Sequence, residues 1–235
     1  PSLRGERVPR CRLHPSLEGF VAYQSSSAGL CLALGREVTT VIIYSTLFST
    51  NHPSHSSLDN WNVLQGDDYK IWVGWLYTPS TDWARTISTI PYNIDKVSKM
   101  IEDLKNYYQI FDRVKSSDII KNNIVHIRID MPFPISDRDY IVEYNTNKND
   151  DYFSYKFKAV KDTTIPLNDD CIRLENAAGE WYLKVVDESS TEVIYTWNGE
   201  LGGDFPEWAL NRAWIKQGTE MVEWLTESLE ELYKE

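Results

Sequence analysis

From residue 69 onward the chain alternates apolar and polar side chains in short segments, and it then closes on a single long helix pattern running from about 206 to 232. Period-2 segments bury one face and wet the other. A long amphipathic helix must lay its stripe against something. A curved antiparallel sheet gripping one terminal helix satisfies both needs and can leave a hollow between the two layers. A protein with such a hollow is suited to holding an apolar molecule.

The segments can be placed one by one. Leu58, Trp61 and Leu64 recur at helical spacing behind Ser57, which predicts a short helix over 58–64. Residues 69–77 alternate, with Tyr69, Ile71, Val73, Trp75 and Tyr77 on one face. Trp83 to Ile90 reads as the hairpin partner, ended by Pro91. Asn93 is a good cap for a helix whose stripe is Ile94, Val97, Met100, Ile101 and Leu104, extended by Tyr107, Tyr108 and Phe111. Strands are predicted over 123–130, 139–146, 152–160, 171–176, 181–186 and 192–197. Their links are hairpin-sized, so the sheet is expected to be antiparallel. In the terminal helix, Trp208, Ile215, Val222, Leu225, Leu229 and Leu232 mark the stripe, and Trp214, Met221 and Trp224 widen it. Asp204 is the expected cap, with Pro206 in the first turn. Gly218 sits mid-helix, where glycine costs about 1 kcal/mol relative to alanine. Its retention points to a close approach there.

Composition divides the chain near Ser57–Leu58. The first Lys is Lys70 and the first Asp is Asp59. Residues 1–57 carry a net charge of +2, against −13 for the rest. Residues 58–235 read as the functional domain. Residues 1–57, Arg- and Ser-rich, read as an accessory segment, a leader or an artefactual extension, with a possible strand over Val38–Phe48. The overall charge of −11 and the lack of a polybasic run argue against nucleic acid as a partner. The longest apolar run, Val41 to Phe48, is too short to span a bilayer. Three scattered cysteines (Cys11, Cys31, Cys171) fit a reducing, cytoplasmic setting and no disulfide framework.

Catalytic signals are sparse. His126 is the single His of 58–235, and the alternation aims it outward. A nucleophilic triad is therefore not expected. His52-x-x-His55 falls in the appendage without a nearby acidic or Cys cluster and reads as a loop. No cofactor or metal is expected. Arg138 and Asp139 read as structural, the Arg holding a carboxylate and fixing the turn before its strand.

Several of these segments resemble START domains, the lipid-transfer modules related to steroidogenic acute regulatory protein. Ser136-Asp137-Arg138-Asp139-Tyr140 resembles that family's Arg-Asp-aromatic strand start. Gly202-Gly203-x-x-Pro206-x-Trp208-x-x-Asn211 is similar to its approach to the closing helix. Gly179-Glu180-Trp181 followed by Thr191-Glu192-Val193-Ile194-Tyr195 is similar to its penultimate hairpin. The resemblance covers about 58–235 in the right order. It implies an α+β helix-grip fold: a curved antiparallel sheet, a small N-terminal helix, a mid-chain helix, and a long C-terminal helix over a hydrophobic tunnel. It also implies a lipid or other hydrophobic ligand and transient membrane contact.

Sterol-carrying members have an Arg farther along the Arg-Asp strand, paired with an acidic group. Tyr144 holds that position here, and the facing strand offers Val125 or Ile127. The expected tunnel lining is Trp75, Val125, Ile127, Tyr140, Val142, Tyr144, Phe157, Trp181, Tyr195, Trp197, Ile215, Gly218 and Val222. The hydroxyls of Tyr140, Tyr144 and Tyr195 are the candidates for a ligand's polar group. The loop 162–170 is a candidate gate, because it carries Ile165 and Leu167. Two other readings use the same hollow: an enzyme of polyketide cyclase or aromatase type, and a ligand-sensing interaction module.

Overall fold

The computed structural model describes residues 21–25, 29–33, 52–55, 57–66, 68–167, 170–198, 201 and 205–234. The chain divides into two compact units, Pro1–Phe48 and Ser49–Glu235. In the first, β1 (Val21–Ser25) and β2 (Gly29–Ala33) form an antiparallel hairpin. The possible strand over Val38–Phe48 lies outside the described residues.

The second unit is built on a ten-stranded sheet. Its strands are β3 (Asn62–Gln65), β4 (Ile71–Tyr77), β5 (Asp82–Ile90), β6 (Val114–Lys121) and β7 (Ile124–Ile129), then β8 (Asp137–Lys148), β9 (Tyr152–Ala159), β10 (Cys171–Arg173), β11 (Ala178–Asp187) and β12 (Ser190–Asn198). Neighbours run β3-β4-β5-β12-β11-β9-β8-β7-β6. The last strand thus closes onto β5, with Tyr195 opposite Thr86 and Trp197 opposite Ala84. Every pairing in that path is antiparallel. β10 is the exception: it runs parallel to the start of β8, Arg173 opposite Asp139.

Three helices cover the inner face: α1 (Ile94–Glu102), α2 (Tyr107–Ile110) and α3 (Leu210–Leu232). Asn93 caps α1 as expected, its Oδ1 accepting from the Lys96 amide at 3.0 Å. The chain breaks to a 3-10 turn at Leu104–Asn106 before α2. That break rephases the stripe: Tyr107 and Phe111 are buried, whereas Tyr108 is exposed. α3 packs on β4 and β5 and touches α1 and α2. Trp214, Gly218, Val222, Leu225 and Leu229 form its buried stripe, spaced by three or four residues.

Four expectations need correction. Residues 58–64 do not form a helix: the chain turns at Asp59–Asn60, with Asn60 at φ 70°, and 62–65 pair with β4 as an edge strand. Asn tolerates that left-handed conformation, and it redirects the backbone before a turn of helix can form. β6 escaped the sequence reading, because its residues Val114–Lys121 are mostly exposed and do not alternate cleanly. Trp208 is 86% exposed and Leu232 61% exposed, so neither belongs to the buried stripe of the terminal helix. Trp208 sits in a 3-10 turn, Glu207–Ala209, whose three-residue period is out of phase with α3. The expected cap Asp204 lies outside the described residues.

The fourth correction concerns the segment before β3. Its composition matches the first unit, yet its contacts are with the second. It crosses the outer face of the sheet, where Trp61, Trp72, Trp83 and Ala178 form a separate apolar cluster. Arg85, on β5, is fully buried there. It donates to Thr196 Oγ1 at 2.9 Å and to the carbonyls of Ser54 and Pro53 at 3.0 and 3.1 Å, with its guanidinium 4.4 Å from the Trp61 ring centre. His55 Nε2 lies 3.0 Å from the buried Glu180 carboxylate, and His52 Nε2 2.8 Å from the Gly179 carbonyl oxygen. His52-x-x-His55 is a loop, as read, but it is one that anchors a strap to the sheet. Composition reports charge and cannot report which surface a loop covers.

Candidate functional site

The inner face of the sheet is aromatic because inward positions on β8, β9, β11 and β12 repeat large rings. Tyr195 stacks between Trp181, at 4.1 Å, and Trp197, at 4.7 Å between ring centres. Phe111 from the chain after α2 stacks on the far side of Trp181 at 5.8 Å. All thirteen expected lining residues lie in the interior between sheet and helices. Tyr140, Phe157, Tyr195 and Trp197 border an inner cavity of about 60 Å³. The other nine pack in the core around it. Ile129, Met131, Arg138, Leu174, Asn198, Leu201 and Gln217 also border the cavity and were not anticipated. Ile129 continues the alternation of Val125 and Ile127, so it was legible. Gln217 and Leu201 carry no sequence signal.

A second hollow, an apolar groove of about 210 Å³, lies beside the cavity. Pro132, Ile135, Phe205, Ala209 and Ala213 line it, with Arg113, Arg212, Lys216 and Glu220 around it. Met131, Leu201 and Gln217 border both spaces and so form the neck between them. Arg113 is tied to Glu220, Nε to Oε2 at 2.8 Å, which holds α3 to the end of α2's connection. Phe133 is 98% exposed in the loop that forms one wall, and Trp208 stands just before the helix that forms the other. The loop 162–170, expected as a gate, instead borders a separate recess of about 330 Å³ with Ile141 and Arg173. Ile141 alternates with the inward Tyr140 and Val142, so that recess lies on the sheet's outer side.

At its closest point α3 leaves no space at all. A Cβ built on Gly218 would stand 2.1 Å from Thr86 Oγ1 and 3.1 Å from Trp197 Cη2. The missing side chain therefore lets the helix sit directly on β5 and β12. The interior is closed tightly here and opens toward the neck.

The polar groups inside are unevenly satisfied. Tyr107 donates to the Ile101 carbonyl at 2.7 Å. Trp197 Nε1 is buried with no partner, as is Thr86 Oγ1. Burial pushes the phenols of Tyr140, Tyr144 and Tyr195 up, so all three stay protonated. Arg138 is 1% exposed and faces inward, donating through Nε to the Leu201 carbonyl at 2.9 Å and through a second nitrogen to the Ser136 carbonyl. These bonds fix the turn before β8, as expected. The neighbour of Arg138 makes a bidentate carboxylate pair. Asp139 is held on the outer face by Arg173, Nη2 to Oδ2 at 2.6 Å, and by His126 Nε2 at 2.7 Å. His126 is thereby part of an ion cluster outside the cavity.

No family model matches the chain. An uncharacterised protein of Pseudomonas aeruginosa is 24% identical over 158 residues, covering 65% of this chain and 78% of the relative. Among solved structures, a fragment of a StAR-related lipid transfer protein from Xanthomonas axonopodis superposes with a TM-score of 0.64 at 24% identity, covering 73% of this chain and 99% of that one. Human StAR-related lipid transfer protein 5 superposes with a TM-score of 0.65 at 13% identity, covering 76% and 90%. These superpositions, with the large antiparallel sheet and the long closing helix, show that the second unit has the START-like helix-grip fold.

Proposed function

We propose that this protein carries one hydrophobic small molecule between α3 and the sheet and exchanges it with membranes, in the cytoplasm, through the groove beside residues 131–135. The observation that carries the reading is an aromatic-lined inner cavity adjoining an apolar groove, with Met131, Leu201 and Gln217 bordering both. The groove is flanked by two side chains that water disfavours, Phe133 and Trp208. Aromatic rings of this kind partition to the membrane–water interface. No helix among the described residues is long and apolar enough to cross a membrane.

The inner cavity bounded by the described residues holds about 60 Å³, less than a lipid needs. Loading therefore requires the neck to widen, with Met131, an unbranched side chain, moving aside and the N-terminal turns of α3 lifting. Covering roughly 400 Å² of apolar ligand surface is worth on the order of 10 kcal/mol at about 25 cal/mol per Å², before ordering costs. That gain offsets the separation of α3 from its neighbours. The test is native mass spectrometry and solvent extraction of the purified protein, followed by transfer of labelled lipid between vesicles of neutral and of anionic composition. Retention of a stoichiometric apolar molecule, or transfer above the spontaneous rate, is expected. Neither outcome with any vesicle composition refutes the proposal.

A further inference from the structure

Three side chains that border the cavity carry a hydrogen-bond donor with no protein acceptor among the described residues. Trp197 Nε1 is buried and unpartnered, and Trp197 is 5% exposed overall. Tyr195, two residues earlier on β12, is 6% exposed and presents its ring to the same cavity. Tyr140, from β8, also lines it. Among the described residues no protein group hydrogen-bonds to the hydroxyl of Tyr140 or of Tyr195, and both side chains border the cavity. A buried donor left unmatched costs about 1–3 kcal/mol. Native interiors seldom leave one; Trp197 Nε1 is such an atom, whereas the hydroxyls of Tyr140 and Tyr195 are not fully enclosed and border the space beside it. The arrangement is explained if the missing acceptor arrives with the ligand.

We infer that Tyr140, Tyr195 and Trp197 form a subsite for an uncharged carbonyl oxygen on the buried end of the ligand, whose apolar body runs out through the neck into the groove. This rests on the carrier reading above and narrows its ligand class. A carbonyl oxygen has two lone pairs and no proton to place, which suits a wall of donors. A carboxylate is a poorer fit. Arg138, the cation at this cavity, already directs two of its nitrogens to the carbonyls of Leu201 and Ser136. A buried anion without a dedicated ion pair is strongly disfavoured.

The full-length protein is titrated with methyl nonyl ketone, undecane and decanoate. Binding is measured by partitioning, and the carbonyl stretch of the bound, isotope-labelled ketone is read by infrared difference spectroscopy. The ketone is expected to bind more tightly than undecane or decanoate, after correction for their solubilities in water, with its stretch lowered by hydrogen bonding. Tyr140→Phe and Tyr195→Phe should each weaken ketone binding roughly fivefold, the worth of one hydrogen bond. They should leave undecane binding unchanged and shift the stretch back up. Their unliganded melting temperatures should be equal to or above that of the parent, since each loses a hydroxyl without a protein partner. That combination separates ligand recognition from a structural role. Equal binding of ketone and undecane, with both variants silent, overturns the carbonyl subsite while leaving the carrier reading intact. Tighter binding of decanoate than of the ketone overturns it in favour of an acid. Binding of none of the three probes overturns both.

Discussion

Gly218 is where the spacing between helix and sheet is set, so Gly218→Ala measures that spacing directly. In isolation the substitution favours the helix by about 1 kcal/mol. The tertiary contact opposes it. The new Cβ would lie 2.1 Å from Thr86 Oγ1, more than an ångström inside ordinary contact, and 3.1 Å from Trp197 Cη2. Thr86 is fully buried and β-branched, so it has little freedom to turn away. Overpacking of this kind costs about 1–3 kcal/mol. The net expectation is a loss of up to about 2 kcal/mol, a fall of as much as about 8 °C in melting temperature for a chain of this size.

Thr86→Ala supplies the control. Thr86 Oγ1 has no hydrogen-bond partner to lose. With it removed, the remaining contacts are Thr86 Cβ at 3.4 Å, which is ordinary, and Trp197 Cη2 at 3.1 Å, which needs the ring to give by a few tenths of an ångström. The double variant should therefore recover most of the loss, giving a coupling of at least about 1 kcal/mol in a urea-denaturation cycle. Gly218→Ala alone should also speed release of bound lipid, because it lifts α3 from the sheet. If Gly218→Ala is as stable as the parent and the cycle shows no coupling, α3 does not press on β5 at this point, and the closed interior argued above is wrong.

Replacing Phe133 and Trp208 together by Ser should leave the melting temperature nearly unchanged, as exposed substitutions do, while co-sedimentation with vesicles and lipid transfer fall. Asp139→Asn should destabilise the protein by roughly 2–4 kcal/mol, because it leaves the Arg173 guanidinium under-compensated; guanidinium denaturation measures it. Burial alone would push the Asp139 carboxyl up, but the hydrogen bonds from Arg173 and His126 hold it below the usual range. Its contribution is therefore present above the ordinary carboxylate pKa and is lost as pH falls toward the lowered one, so the variant should show a shallower acid-stability curve. Burial lowers His52 to about 4, against a favourable pull from Glu180. The unfolded chain thus takes up a proton near pH 6.5 that the folded chain refuses until about pH 4, and stability should decline across that window. His52→Gln should flatten the decline in melting temperature measured against pH.

Period-2 alternation was enough to locate most strands, because a residue that must face a dry interior has to be apolar whatever its neighbours are. Asn93 and the stripe of Ile94, Val97, Met100 and Ile101 were legible for the same local reason. So were the inward positions Tyr140, Phe157, Tyr195 and Trp197. The helix read over 58–64 failed where a single left-handed Asn60 outweighed three well-spaced apolar residues, and β6 was invisible because an exposed strand carries no burial pattern.

What required the tertiary structure was everything that depends on distance across the fold. Sequence says that Gly218 is unusual; only the approach of Thr86 and Trp197 says why. It lists three tyrosines on inward faces, but that Tyr140 from β8 and Tyr195 from β12 meet at one cavity depends on how the strands are ordered. The neck joins Met131, Leu201 and Gln217 from three separate parts of the chain, and the strap's His52 meets Gly179 127 positions away. Local pattern encodes the burial of each side chain, because burial is a property of one residue against water. Openings, closures and unmet hydrogen bonds are properties of surfaces meeting, and they exist once the sheet has curved around its helix.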